Sequence, residues 1–242
     1  MRARSYLSGL VLLPAAVLCC STTKSTLDGG GGDSGGPANP DIAVCSPDAG
    51  PHSLVIDNRY LPMPVGRKLV LEGREGSSEV HLEITVLDQV ERVAGVDCRV
   101  VEERESKDGK LVEVSRNFFV QAPDGTVCYY GEDVDIYRDG AVVGHEGAWR
   151  AGEGQNRPGI MMPANPRVGM KYPNEVAPGV AEDTAEITAM GTSVDVPAGH
   201  FEGALEITET SPLDSGSSHK VYVPDIGIVV DDELRLVGRE GP

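Results

Sequence analysis

Runs of alternating apolar and polar residues, separated by turn dipeptides, fill the middle of the chain. Asp-Gly pairs begin at positions 108, 124 and 139, and strand-like runs rich in Val, Tyr and Phe lie between them. An Asp-Gly pair between two such runs predicts a β-hairpin. With further runs before and after them, the pattern predicts a five-stranded antiparallel meander over 80–90, 96–105, 111–120, 127–137 and 141–149.

The last third of the chain repeats this pattern, and no stretch has a sustained helical period. Its strand-like runs cover 184–196, 201–210, 220–223, 226–230 and 234–237. We therefore predict an all-β domain of ten or more strands, in which antiparallel meander sheets form a twisted half-barrel or a sandwich.

The turns also predict a register. A three-residue loop around each Asp-Gly pair places the glycine in the left-handed position, whereas a two-residue loop would set Val112 and Val114 against glutamates. The three-residue loops place Arg116 opposite Glu132, and Glu132 opposite Glu146. One arginine and two carboxylates then interrupt an apolar face.

This charged row is the candidate site of the sequence. Arg116, Glu132 and Glu146, with Tyr130 beside them, form either a structural ion-pair group or the polar floor of a ligand cavity in a partly closed barrel. Paired carboxylates also carry out glycoside hydrolysis. Acidic residues on adjacent strands are too common, however, to indicate that chemistry.

The opposite face offers weaker candidates. Ser115, Asp133 and His145 would share a row, but Asp133 in the middle separates serine from histidine by about 10 Å, which excludes a catalytic triad. Asp133, Asp135 and His145 could ligate a metal, but without a regular motif a solvated polar face is favoured. We assign no catalytic residue, no metal and no cofactor.

The N-terminus predicts export. A basic start and a short apolar run over 6–20 are typical of a secretory signal, and the run is too short for a bilayer span of about 20 residues. Its end resembles a lipobox, in which Cys20 is the lipid acceptor because Cys19 at −1 is small. A cleaved signal without lipid is the alternative. We predict a lipoprotein of the bacterial cell envelope, facing the outer membrane or the periplasm.

Composition divides the remaining chain. Residues 21–50 are rich in glycine and nearly free of bulky apolar groups, which predicts a flexible tether about 30 Å in mean span. Residues 51–242 are the size of a single domain. The net charge of −17 becomes −19 when Arg2 and Arg4 leave with the signal, which disfavours nucleic-acid partners. The expected partners are a membrane, through the lipid, and an apolar ligand or an envelope protein.

Three cysteines follow Cys20. Cys98 and Cys128 lie two strands apart in the predicted sheet, which is too far for a disulfide, and both are expected as small core residues. A bond from Cys45 to either of them is left open.

A loop rich in proline and glycine over 152–183 separates the two β regions. The chain resembles an uncharacterised family of secreted bacterial β-rich proteins and lipoproteins. This resemblance implies no established activity. It is carried by PGIMMPANP at 158–166, VAPGVAED at 176–183, VPAGHF at 196–201 and YVPDIGIV at 222–229.

Two functions remain from the sequence. The first is a non-enzymatic envelope lipoprotein whose β-domain binds a ligand or a partner. The alternative is a carboxylate- or metal-assisted hydrolase that would use Glu132, Glu146, Asp133 or His145.

Overall fold

A computed structural model describes residues 37–242. The predicted signal peptide over 1–20, the lipid acceptor Cys20 and the tether as far as residue 36 lie outside the described residues. Two 3-10 turns, Ile42–Cys45 and Pro47–Ala49, precede the strands. The strands are β1 (Lys68–Glu75), β2 (Ser78–Val93), β3 (Val96–Lys107), β4 (Lys110–Gln121), β5 (Val127–Arg138), β6 (Ala141–Gly144), β7 (Trp149–Arg150), β8 (Gly159–Met162), β9 (Lys171–Pro173), β10 (Thr184–Val196), β11 (Gly199–Thr210), β12 (Ser217–Val223), β13 (Gly227–Asp231) and β14 (Leu234–Glu240).

All fourteen strands of the described residues belong to one antiparallel sheet, which confirms the prediction of an all-β domain with ten or more strands. The spatial order is β6-β5-β4-β3-β2-β1-β14-β13-β12-β11-β10-β9, and β7 and β8 pair with β5. The two predicted meanders are therefore β2 to β6 and β10 to β14. Strand β1, which the sequence pattern did not predict, pairs with both β2 and β14 and joins them.

The two ends of this sheet meet without closing it by a strand pair. The Arg157 N–H, just before β8, donates to the carbonyl of Val176, just after β9, at 2.9 Å. The Gly159 backbone packs so tightly on Asn174 that a Cβ on this glycine would lie 1.9 Å from the Asn174 carbonyl oxygen. Because opposite ends of the strand order are in contact, the sheet curls into a half-barrel with an inner and an outer face.

The inner face can be followed from strand to strand, since paired residues point to the same side of a sheet. The pairs that link β3 to β14 are Glu105 with Leu82, Leu82 with Leu71, and Leu71 with Leu236. The pairs that continue to β11 are Leu234 with Asp231, Asp231 with Lys220, and Lys220 with Ile207. Leucine and isoleucine side chains form much of this face, and charged side chains lie among them.

Two of the three Asp-Gly hairpin loops are tighter than predicted. Lys107 pairs with Lys110, so the β3–β4 loop contains only Asp108 and Gly109, with φ of +49° and +75°. Two consecutive residues at positive φ are the type I′ geometry that Asp-Gly favours, and the Asp139 loop between β5 and β6 is built in the same way. The prediction of three-residue loops is wrong at these two hairpins. It is confirmed between β4 and β5, where the Ala122 N–H donates to the Thr126 carbonyl at 2.8 Å, Gly125 has φ of +96°, and Val120 pairs with Cys128.

Bulges shift the register further. Asn117 pairs with Glu132, but two positions on in β4 Phe119 pairs with Tyr129, three positions back in β5. Gly131, in the extra segment, has φ of +123°, and a Cβ on it would lie 2.2 Å from the Trp149 carbonyl oxygen. Because a shift of one residue turns a side chain to the other face, this bulge decides which charges lie inside.

The predicted charged row is therefore wrong as a row. Arg116 pairs with Asp133 on the outer face, whereas Glu132 lies on the inner face beside Trp149. Glu146 is exposed in the turn before β7. The triad row is also absent, since Ser115 pairs with Val134.

A segment over 42–60, which we call the N-terminal strap, packs on the outer face. A disulfide joins Cys45 to Cys128 with a Cα–Cα distance of 5.5 Å, and Tyr130 donates its hydroxyl hydrogen to the Cys45 carbonyl at 2.8 Å. Ser53 exchanges backbone hydrogen bonds with Gln121 at 2.8 and 3.0 Å. Cys98 is free and buried, as the predicted strand separation requires. The folded part thus includes residues 42–49, which the composition assigned to the tether.

Among the described residues, no helix combines the length and the apolar character needed to cross a bilayer.

Candidate functional site

The structure separates the four residues of the sequence-predicted ligand site. Arg116 is a third exposed on the outer face, where it forms ion pairs with Glu102 at 3.3 Å and Asp135 at 3.2 Å. Tyr130 is buried beneath the N-terminal strap, and Glu146 is exposed. Only Glu132 lies on the inner face, so these side chains do not line one cavity.

Arg116→Met is therefore expected to have a small effect. An ion pair with this much solvent exposure contributes about 0 to 1 kcal/mol, far below the cost of breaking a buried pair. Chemical unfolding at pH 7 should show a loss of less than about 1 kcal/mol. A larger loss would indicate that Arg116 is held in a desolvated site.

The outer-face carboxylates are each paired with arginine. Arg150 donates to both oxygens of Asp133, at 2.9 and 2.6 Å, while Asp135 accepts from Arg116. His145 is largely exposed and places Nδ1 3.1 Å from Asp135. Within residues 37–242, no three His, Cys, Asp or Glu side chains converge as a metal site requires. The hydrolase residues proposed from the sequence do not form one site.

The inner face instead brings together charged residues that the sequence register placed apart. They are Glu103 and Glu105 in β3, Glu113 in β4, Glu132 in β5, Glu209 in β11, Lys220 in β12 and Asp231 in β13. Opposite the acids of β3, Glu105 pairs with Glu113, a carboxylate directly across from another carboxylate. We call these residues the inner acidic group.

Lys220 is the buried cation of this group. It is 1% exposed and its Nζ lies 2.6 Å from Asp231 and 3.7 Å from Glu209. Burial alone would lower its pKa, but the attraction of Asp231 and Glu209 raises the pKa of Lys220 above its ordinary value. The ammonium therefore stays charged and stabilises the carboxylates around it.

The acids further from Lys220 respond by holding protons. Burial raises the pKa of both Glu103 and Glu105 to about 7. Burial, together with the charges of Glu105 and Glu103, raises the pKa of Glu113 to about 8. At neutral pH the inner face thus contains a mixture of carboxylates and carboxylic acids.

This arrangement predicts that the domain becomes less stable as the pH rises. A carboxyl whose pKa rises from 4.5 to about 8 on folding, as at Glu113, binds its proton more tightly in the folded chain. The stabilisation is complete below the unfolded pKa and is lost as the pH rises through the folded value. The melting temperature should fall between about pH 5.5 and pH 8.5.

Glu113→Gln should remove part of this dependence and gain about 2 kcal/mol over the wild type at pH 8.5. Glu146→Gln, which changes an exposed acid, should leave the pH dependence of the melting temperature unaltered. Thermal unfolding of the three proteins across this pH range tests the prediction, and an equal fall in all three would contradict it.

A second acidic element lies where the two ends of the sheet meet. Burial, followed by the neighbouring charges, raises the pKa of both Glu132 and Glu175. Among the neighbouring charges, Glu175 raises the pKa of Glu132 the most. Among residues 37–242, neither of them forms an ion pair. Their charge is therefore balanced by protons rather than by a basic side chain of the described domain.

Two polar atoms in the surroundings of Glu209 are buried without a hydrogen-bond partner. Asn174 is 1% exposed, and its Nδ2 donates to Glu209 at 2.9 Å while its Oδ1 has no partner. The hydroxyl of Tyr172, also 1% exposed, is unpartnered as well. A buried polar atom without a partner costs about 1 to 3 kcal/mol, so these atoms lower the stability of the folded domain.

A groove of about 1020 Å³ opens beside Glu175. Its walls are mainly apolar and come from the N-terminal strap, the segment around β9 and the loop after β11. Glu175 lines it, with Arg157 and Glu182 among its other polar residues. The apolar and small wall residues are Ile42, Ala43, Pro47, Pro158, Pro173, Val176, Ala177, Pro178 and Pro212. The groove therefore combines apolar walls with a carboxylate that belongs to a buried acidic element.

Sequence reasoning missed this site because its residues come from segments without regular strand patterns. Asn174 and Glu175 lie in the proline-rich loop, and seven of the sixteen residues that line the groove are prolines or alanines. Lys220 was included in a predicted strand, but nothing in its neighbourhood indicated burial. The polar pair Asn174-Glu175 within an otherwise apolar segment was the only local signal.

Comparison with known proteins adds no further information. No family model, no curated protein and no solved structure matches this chain. The resemblance to a secreted bacterial family therefore stays a prediction, and the function has to be argued from the site itself.

Proposed function

We propose that this protein is an exported lipoprotein of the bacterial cell envelope whose β-domain binds a small ligand in the groove. The binding is non-enzymatic. The lipid on Cys20 holds the domain at a membrane, and the Gly-rich segment after it gives the domain reach.

The groove is the observation that carries the proposal. Its volume of about 1020 Å³ lies at the upper end of the usual range of small-molecule sites, about 300 to 1,000 Å³. Such sites combine apolar walls with a few polar groups, as this groove does with Glu175. An apolar ligand was expected from the sequence. Glu175 gives the groove a polar end that would contact a polar group of such a ligand.

The hydrolase alternative has less support. It would use Glu132, Glu146, Asp133 or His145, but Glu132 lies on the inner face, Asp133 and His145 lie on the outer face, and Glu146 is exposed in a turn. Asp133 is also held by Arg150 at 2.6 Å.

Native mass spectrometry of the protein purified from its own membranes tests ligand binding. We expect a small molecule to remain bound to the wild type. Ala43→Trp places a large side chain in the groove from an exposed wall position and should remove it. The control Ala141→Trp, at an exposed alanine in β6, should retain it. Equal occupancy of the two variants would place the ligand elsewhere, and an empty wild type would contradict the proposal.

The anchor has a separate test. Cys20→Ser should release the protein from the membrane fraction, and the intact mass of the wild type should include acyl chains. A variant that stays in the membrane fraction would contradict the lipoprotein assignment.

A further inference from the structure

We propose that the ligand of the groove is an organic cation with an apolar body, whose ammonium or guanidinium head lies against Glu175. This inference rests on the proposed function and specifies the chemistry of the ligand. The lining of the groove assigns the head to this carboxylate and the body to the apolar walls.

The head position is defined by the carboxylate that lines the groove. Glu175 is 9% exposed and forms no ion pair among the described residues. An ammonium has three N–H donors, and a guanidinium has five. A cationic head could therefore donate several hydrogen bonds to this carboxylate, which an alcohol or a carboxylic acid could not do equally well.

The lining of the groove favours an organic cation over a metal ion. A bound calcium ion needs six to eight oxygen atoms within about 2.6 Å. Within residues 37–242 no three His, Cys, Asp or Glu side chains converge in this way. A single buried carboxylate beside apolar walls suits a larger and softer cation.

The body position is defined by the groove walls. Pro178, Pro212 and Val176 are among the apolar residues that line it. Each methylene of a ligand that is removed from water along such walls contributes about 0.8 kcal/mol. An alkyl chain of about six carbons joined to an ammonium thus matches both parts of the groove.

The charges that face Glu175 determine how binding depends on pH. Its environment contains carboxylates that oppose its ionisation and the ammonium of Lys220, which favours it. The groups are Glu132 from β5, Asp183 before β10, Glu209 from β11, Lys220 from β12, and Arg157 and Glu182 in the groove. The balance raises the pKa of Glu175 to about 7, so a cation binds more tightly as the pH rises through this value.

Isothermal titration calorimetry of the purified full-length protein with n-hexylammonium tests the inference. The neutral isostere 1-hexanol and the anion hexanoate serve as probe controls. We expect hexylammonium to bind at least about tenfold more tightly than either. Its affinity should rise about tenfold from pH 6 to pH 8, with proton release that is detected as a dependence of the heat on the buffer.

Two variants locate the head. Glu175→Gln should weaken hexylammonium binding at least about tenfold and leave 1-hexanol unchanged. The control Glu146→Gln changes an exposed glutamate outside the groove and should have little effect.

The outcomes separate this inference from the proposed function. If 1-hexanol binds as tightly as hexylammonium and Ala43→Trp abolishes both, the groove binds ligands but the cation assignment is overturned. The assignment is also overturned if Glu146→Gln weakens binding as much as Glu175→Gln. If Ala43→Trp affects neither the probes nor the molecule that copurifies, the proposed function fails as well.

Discussion

Lys220→Met should destabilise the domain by about 3 to 5 kcal/mol at pH 7. The ammonium is 1% exposed, and its removal leaves Asp231 and Glu209 without the charge that compensates them in the interior. A methionine of similar length keeps the packing, so the loss is mainly electrostatic. At pH 5 the remaining carboxylates can take up protons, and the loss should be smaller.

Denaturant unfolding at both pH values measures this effect. Lys110→Met, at an exposed lysine that begins β4, is the control and should cost less than about 1 kcal/mol. A Lys220→Met protein as stable as this control would show that the interior is hydrated. If Lys220→Met does not fold at pH 7, recovery of folded protein at pH 5 would still support the electrostatic explanation.

Reduction of the Cys45–Cys128 disulfide should cost about 4 kcal/mol. The bond closes a loop with a sequence separation of 83 residues, and the entropy of such a loop in the unfolded chain gives this magnitude. The bond also holds the N-terminal strap against the outer face. Because Ile42 and Ala43 of the strap line the groove, the bond helps to position this wall of the groove. We expect both stability and ligand binding to fall on reduction.

The measurement compares thermal unfolding with and without a phosphine reductant. Cys45→Ala provides the control, because a protein that lacks the bond should not respond to the reductant. Cys98 is free and cannot replace the lost partner without a change of strand position. A reductant effect of equal size in wild type and Cys45→Ala would mean that the disulfide does not stabilise the fold.

The strands were predictable because the turns are marked in the sequence. Asp-Gly at 108 and 139 identifies two hairpins, and alternation between the turns identifies the strands they join. Strand β1 lacked such a marker, and β7, β8 and β9 are only two to four residues long. Short strands that pair over a long sequence distance carry no local periodicity.

The register was predicted correctly where Val120 pairs with Cys128, but not at the other two Asp-Gly hairpins, because its choice assumed an apolar inner face. Two-residue loops were rejected since they set valines against Glu103 and Glu105, yet the hairpin does use the two-residue loop. A bulge then places Glu105 opposite Glu113, and both side chains are tolerated because they hold protons at elevated pKa. Bulges and buried carboxylic acids are tertiary properties that alternation alone does not encode.

The candidate site was only partly predictable for the same reason. Glu132 was chosen as an interior acid and does lie on the inner face, but its neighbours are Asn117, Tyr129 and Glu175 rather than Arg116 and Glu146. Glu175 reaches Glu132 only because the sheet curls until its ends meet. This contact depends on the whole fold.

A crystal structure of the protein with 6-bromohexylammonium would test the central claim most directly. Binding of a cationic ligand in the groove predicts an anomalous bromine peak along the walls formed by Pro178 and Pro212, with the ammonium nitrogen about 3 Å from the Glu175 carboxylate. A bromine peak outside the groove, or a groove filled by residues 1–36 of the chain, would contradict it.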